Sequence, residues 1–153
     1  MPLTPGLEKS KRMMDFTARI AALVALGEHL QGEDEYLQAV MHRTAHHNPW
    51  FTKENQTLAI AAIAQKMLNQ DELNTWLRKY HVPEPVDPQV VGLVMAGNIP
   101  LVGFHDVLCV FVAGHRAQIK LSDKDPYLLP YLLKLLERID PRTANYFQLV
   151  EQL

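Results

Sequence analysis

Cysteine is nearly missing from this chain: Cys109 is the only one in 153 residues. That excludes an internal disulfide and a zinc site built from several thiolates, and it suits a reducing compartment, so a cytoplasmic location is expected. An excess of one charge is missing as well. The 15 basic and 17 acidic residues leave a formal net charge of −2 and are scattered along the sequence. No basic stripe can be drawn that would track a phosphate backbone, and nucleic acid is not an expected partner. Nor is there a clean apolar run of membrane-spanning length. The longest candidate, residues 92–114, holds Asn98, Pro100, His105 and Asp106 in its middle, where each is costly in lipid, so no membrane span is expected. Met1 to Arg12 is polar, carries Lys9, Lys11 and Arg12, and does not read as a secretory signal. Internal repeats and low-complexity tracts are lacking. So are the G-x-G-x-x-G turn, the G-x-x-x-x-G-K-[ST] phosphate loop and the H-E-x-x-H zinc motif; a nucleotide, if bound, must be held differently.

What is present is the composition of a soluble globular domain, 48% hydrophobic and 21% charged, in a chain long enough to bury a sizeable core. Residues 1–80 read as a helical region. Apolar residues near helical spacing run from Met13 to Leu30, where Gly32 is a natural stop, and again from Glu33 to His47, where Asn48-Pro49 halts the helix. Thr52 is placed to cap a helix reaching Leu68, and Asn69 opens a shorter one through Trp76 to Tyr80. Residues 81–89 contain three prolines and form a connector, the one credible boundary. Beyond it, Val90 to Met95 suits a buried parallel strand, Pro100 to Ala113 a helix ended by Gly114, and Ala117 to Leu121 a second strand. Asp125-Pro126 starts a helix running to Ile139, and Thr143 to Leu153 makes a final short helix. The fold class is α/β, with two short parallel strands in a βαβα unit over residues 90–153. Two strands cannot cover both faces of a sheet or close its edges, so an oligomer or a partner chain is expected.

A parallel sheet binds ligands outside the carboxyl ends of its strands, and both corners there are polar. In Ala96-Gly97-Asn98-Ile99-Pro100, Asn98 either caps the following helix or offers an amide to a developing oxyanion. In Lys120-Leu121-Ser122-Asp123, an ammonium and a carboxylate side by side either hold ribose hydroxyls or form an ordinary charged loop. His105-Asp106 lies inside an apolar helix, where the pair must find partners or face an opening in the core. His42 and His46 are spaced to share a zinc ion on one helix face, with His47 beside them and no evident third ligand. Cys109, amid Val107, Leu108, Val110 and Phe111, reads as a packed thiol with a raised pKa.

At these corners the sequence resembles the LuxC-like acyl-CoA reductase family of the aldehyde dehydrogenase superfamily. The likeness is strongest over Val91 to Asp106 and Lys120 to Asp125, extends back through Asn48-Pro-Trp-Phe-Thr, and covers most of the chain. It implies an incomplete Rossmann-like nucleotide-binding unit and reduction of a fatty acyl-CoA thioester to an aldehyde with NADPH, through an acyl group held on a cysteine. Asn98 resembles the superfamily's oxyanion asparagine in an Asn-aromatic-Pro corner, with Ile99 in place of the aromatic. Lys120 and Ser122 resemble the lysine and serine of the Lys-Pro-Ser-Glu segment that meets the cofactor ribose. Asp123 stands for the glutamate and Leu121 for the proline, and Lys124 could favour the extra phosphate of NADP. The family's nucleophilic cysteine belongs to a later domain, and Cys109 does not match its position. The expectation is therefore the N-terminal portion of such an enzyme, inactive by itself, with a non-catalytic helical interaction module as the alternative.

Overall fold

The computed structural model describes residues 13–153; the reading of Met1 to Arg12 lies outside them. Helix α1, Phe16–Leu30, starts where the Asp15 carboxylate accepts from the Ala18 amide at 2.8 Å, and it ends at Gln31, just before Gly32. Helix α2, Glu35–His47, is capped by Asp34 and stops at Asn48-Pro49 as the proline requires. Thr52 caps α3, Lys53–Ala62, which widens into one π-helical turn at Ile63–Met67. Leu68 then packs so closely on α1 that a Cβ at Gly27 would lie 2.7 Å from its Cβ. Asn69 caps α4, Gln70–Leu77, through the Asp71 and Glu72 amides. Residues 81–89 follow without helix or strand.

Asp34 does more than cap. Its carboxylate takes the Leu37 amide at 2.9 Å, the Tyr131 hydroxyl at 2.7 Å and the His29 ring at 2.8 Å. Burial pushes its pKa up, but the hydrogen bonds from His29, Leu37 and Tyr131 outweigh that and hold it below the usual carboxylate value. Tyr131 is pushed up to about 12 by its burial and by Asp34. Asp34→Ala is expected to cost about 2 kcal/mol at neutral pH, the loss of a cap together with a charge-assisted hydrogen bond. Because the folded-state pKa is the lower one, this stabilisation is full above the unfolded value and disappears as pH falls through the folded one. Urea unfolding at neutral and acid pH should show the gap between the two proteins closing in acid.

The second part of the chain contains β1, Val90–Val94; α5, Phe104–Val112; β2, Arg116–Lys120; α6, Leu128–Ile139; a 3-10 turn, Pro141–Tyr146; and β3, Phe147–Leu149. The strands are parallel in the order β1-β2-β3, with Val94 opposite Lys120 and Ile119 opposite Leu149. The α/β expectation holds, but the strand count does not: there are three among the described residues. Residues 143–153 do not form the expected helix. The open edge of β2 takes up their backbone instead, as in the 2.9 Å bond from the Val150 amide to the Ile119 carbonyl. Tyr146 anchors the turn, buried edge-on against Phe111 at 5.1 Å, with its hydroxyl accepting from the Met14 amide at 2.7 Å.

The helix expected from Pro100 also begins late, at Phe104. Leu101 sits at φ 57°, a left-handed conformation that no α-helix accommodates, and its amide turns aside to Asp125 at 2.8 Å. Likewise α6 begins at Leu128 rather than at Asp125-Pro126, which leaves Asp125 buried in the preceding loop.

One apolar cluster runs through both regions, from Leu26 and Leu68 through Phe104 and Phe111 to Ile119 and Leu132. Helix α5 packs on β1 and β2, and α1 packs on α5 and α6. The other face of the sheet is largely open: Val90 is 57% and Val94 72% exposed, the Leu153 side chain comes over Gly92 between them, and Gln118 there bonds Gln148 across the strands at 3.2 Å. No helix among the described residues is long and apolar enough to cross a membrane.

Candidate functional site at the carboxyl ends of the strands

The corners that follow β1 and β2 lie against each other. The Met95 amide donates to the Lys120 carbonyl at 2.9 Å, extending the ladder one step beyond the strands. Two residues later, a Cβ placed on Gly97 would be 2.8 Å from the Lys124 Cβ and 2.9 Å from the Ser122 Cβ. Only a residue without a side chain fits there. Gly97→Val is expected to force the corners apart at a cost of about 1–3 kcal/mol, the usual range for overpacking. Gly32→Ala, where the added Cβ would meet only the His29 carbonyl at 3.5 Å, should leave the melting temperature nearly unchanged by comparison.

Asn98 is exposed, and its side chain makes no hydrogen bond among the described residues. Its expected role as a helix cap is therefore corrected: α5 starts six residues later behind Gly103, with no side-chain cap at all. Lys120 is exposed at the end of β2, on the open face beside Val94. The Ser122 hydroxyl accepts from the Lys124 amide at 3.2 Å, which closes the loop, while Asp123 and Lys124 are exposed. One rim thus carries a free amide, two ammonium groups, a hydroxyl and a carboxylate.

The supporting residues were not legible as such. His47 Nε2 lies 2.6 Å from the Asp123 carbonyl, so that nitrogen carries the ring proton, and Asn48 Nδ2 donates to the Lys124 carbonyl at 3.0 Å. The end of α2 therefore holds the second corner in place. Asp125 ties that corner to the turn before α5: one carboxylate oxygen takes the Leu101 amide, while the other is buried without a partner. Burial raises its pKa and the Leu101 amide offsets this only in part. In the sequence Asp125-Pro126 looks like a helix start, and nothing in it points to a partner 24 residues earlier.

The remaining candidates separate from this rim. His47 is committed to the loop, and no group of three or more His, Cys, Asp or Glu able to hold a metal occurs among the described residues. His105 and Asp106 lie on the exposed side of α5, not within the core; His105 meets the Trp76 ring at 5.8 Å and its Nδ1 lies 3.7 Å from the Cys109 sulfur. Cys109 is only half-buried, along a cavity, rather than fully packed. Its thiol pKa is raised, first by burial and then by the Asp106 carboxylate. Compared with protein-family models, curated proteins and solved structures, the chain shows no match.

Proposed function

We propose that this chain is the N-terminal part of an NADPH-dependent acyl-CoA reductase and that the rim at Asn98 and Lys120 is its share of a Rossmann-like cofactor and substrate site. The observation that carries this reading is the contact between the two corners, which brings an uncommitted amide and a lysine–carboxylate set to the same strand ends. Asn98 would donate to the oxyanion formed when a fatty acyl thioester is attacked, a charge that a preorganised amide stabilises. Lys120, Ser122 and Asp123 would hold the ribose of NADPH, with Lys124 near its extra phosphate. The nucleophile is assigned to none of the described residues: Cys109 has a raised pKa and lies along α5, away from the rim. The purified chain is accordingly expected to bind NADPH weakly and to turn over no acyl-CoA.

The open sheet face, with Val90 and Val94 exposed, supports a partner chain or a second copy in the working assembly. The same face favours the rival reading, a non-catalytic interaction module. Calorimetric titration with NADPH separates the two. Saturable binding that Lys120→Ala abolishes supports the reductase; an absence of binding at any attainable concentration supports the module.

A further inference from the structure

We infer that the cavity along α5 is a binding site for an uncharged, mainly apolar small molecule bearing a hydrogen-bond acceptor such as a carbonyl. The cavity has a volume of about 710 Å³. That lies within the roughly 300–1,000 Å³ range of small-molecule sites, which combine apolar and aromatic walls with a few placed polar groups. Its lining follows that pattern: Trp76 and Tyr80, Pro85 and Val86 of the connector, and the buried Val112 of α5. Val86 is fully exposed and Tyr80 61% exposed, so apolar surface stands uncovered around the opening. A ligand seated there would remove it from water, which favours binding in proportion to the area covered.

The polar groups define the ligand further. The backbone amide of Gln89 donates to His115 Nδ1 at 2.9 Å, so the ring proton of the neutral imidazole is on Nε2, and His115 offers the cavity a donor. Among the described residues no lysine or arginine lines the space; its ionisable side chains are the Asp87 carboxylate, the Tyr80 hydroxyl, the Cys109 thiol and the imidazoles of His81, His105 and His115. A phosphate, sulfonate or carboxylate group would find no lysine or arginine there to offset the repulsion of the Asp87 carboxylate. That lining disfavours a polyanion such as a nucleotide. An uncharged molecule with a carbonyl is suited, its oxygen meeting the histidine and its hydrocarbon part the aromatic and proline walls.

The site is separate from the rim proposed above. The connector that lines the cavity leads into β1, and Ala113 and His115 lead into β2, so the cavity opens at the amino ends of the strands while Asn98 and Lys120 follow their carboxyl ends. The inference does not rest on the reductase reading, and either can fail alone.

The single thiol makes the test specific, because Cys109 lines the cavity and no other cysteine competes. The probe is Nile red, an uncharged apolar dye with a ring carbonyl, read by fluorescence, with N-ethylmaleimide alkylation of Cys109 measured in parallel. Saturable binding is expected, with alkylation slowed about tenfold at saturation. Decan-2-one should displace the dye, whereas decanoate and NADPH should not. Ala113→Trp, which fills the cavity from its wall, should weaken dye binding at least tenfold while leaving the melting temperature and any NADPH binding at the rim unchanged. The inference is overturned by an absence of saturable binding, by alkylation that the dye does not slow, or by equal displacement with decanoate. The thiol measurement uses the unmodified chain and decides the matter even if the tryptophan variant does not fold.

Discussion

Phe111→Ala is expected to destabilise the protein by about 3–5 kcal/mol, the range for truncating a fully buried phenylalanine. Phe111 is 0% exposed at the inner face of α5. Its ring meets Tyr146 edge-on at 5.1 Å and Phe147 at 5.3 Å, so it joins the central helix to the turn and strand that close the sheet. Tyr146 in turn bonds both the amide and the carbonyl of Met14, at 2.7 and 3.2 Å, tying the start of the helical region to the last strand. Removing the ring therefore empties the junction of three segments that are distant in sequence. The backbone cannot collapse into that space without moving β3. Chemical denaturation should register the loss, and hydrogen exchange should place it: the Val150 amide, bonded to Ile119, should exchange much faster in the variant. Val110→Ala on the same helix, where the side chain is only half-buried, should cost markedly less.

Arg19→Met is expected to cost about 3 kcal/mol, from the loss of charge-assisted hydrogen bonds to buried carbonyls and of an ion pair. Arg19 is 1% exposed, yet both terminal nitrogens of its guanidinium have partners, the Met14 carbonyl at 2.6 Å, the Val112 carbonyl at 3.3 Å and the Glu84 carboxylate at 3.2 Å, while Nε is buried without one among the described residues. These partners lie ahead of α1, at the end of α5 and in the proline-rich connector, so a single guanidinium pins the connector to the helices. Methionine fills similar volume without donors, which isolates the polar contribution from packing. For a domain of this size the change corresponds to a fall in melting temperature of roughly 6–12 °C. Glu84→Gln should cost less, because Glu84 is 52% exposed and solvent screens that half of the pair.

The helical half was legible because its boundaries are chemically marked. Thr52 and Asn69 cap the helices expected behind them, and Asn48-Pro49 stops α2 where a proline must, whereas the caps at Asp15 and Asp34 emerge only in the structure. The strand β1 was legible from its β-branched run, and β2, whose one β-branched residue is Ile119, from its place between Gly114 and the polar corner at Lys120. The third strand was not, because Phe147–Leu149 is too short to show a period, and its conformation is set by the unpaired edge of β2 rather than by its own residues. The late start of α5 was hidden for a similar reason: Leu101 adopts a positive φ with its amide held by Asp125, a partner 24 residues away. At the candidate site, the exposed residues at the corners could be read from the strand ends, but the braces from His47, Asn48 and Asp125 depend on contacts across 24 to 76 positions of sequence. Such partners carry no local signature.

The central claim is that the two corners form one ligand-binding rim, and an amide NMR titration of the chain with NADPH tests it most directly. Shifts concentrated at residues 96–101 and 120–125, and lost in Lys120→Ala, are the expected result. Saturation without change at those amides, or shifts confined to the cavity beside Trp76 and His115, would contradict it.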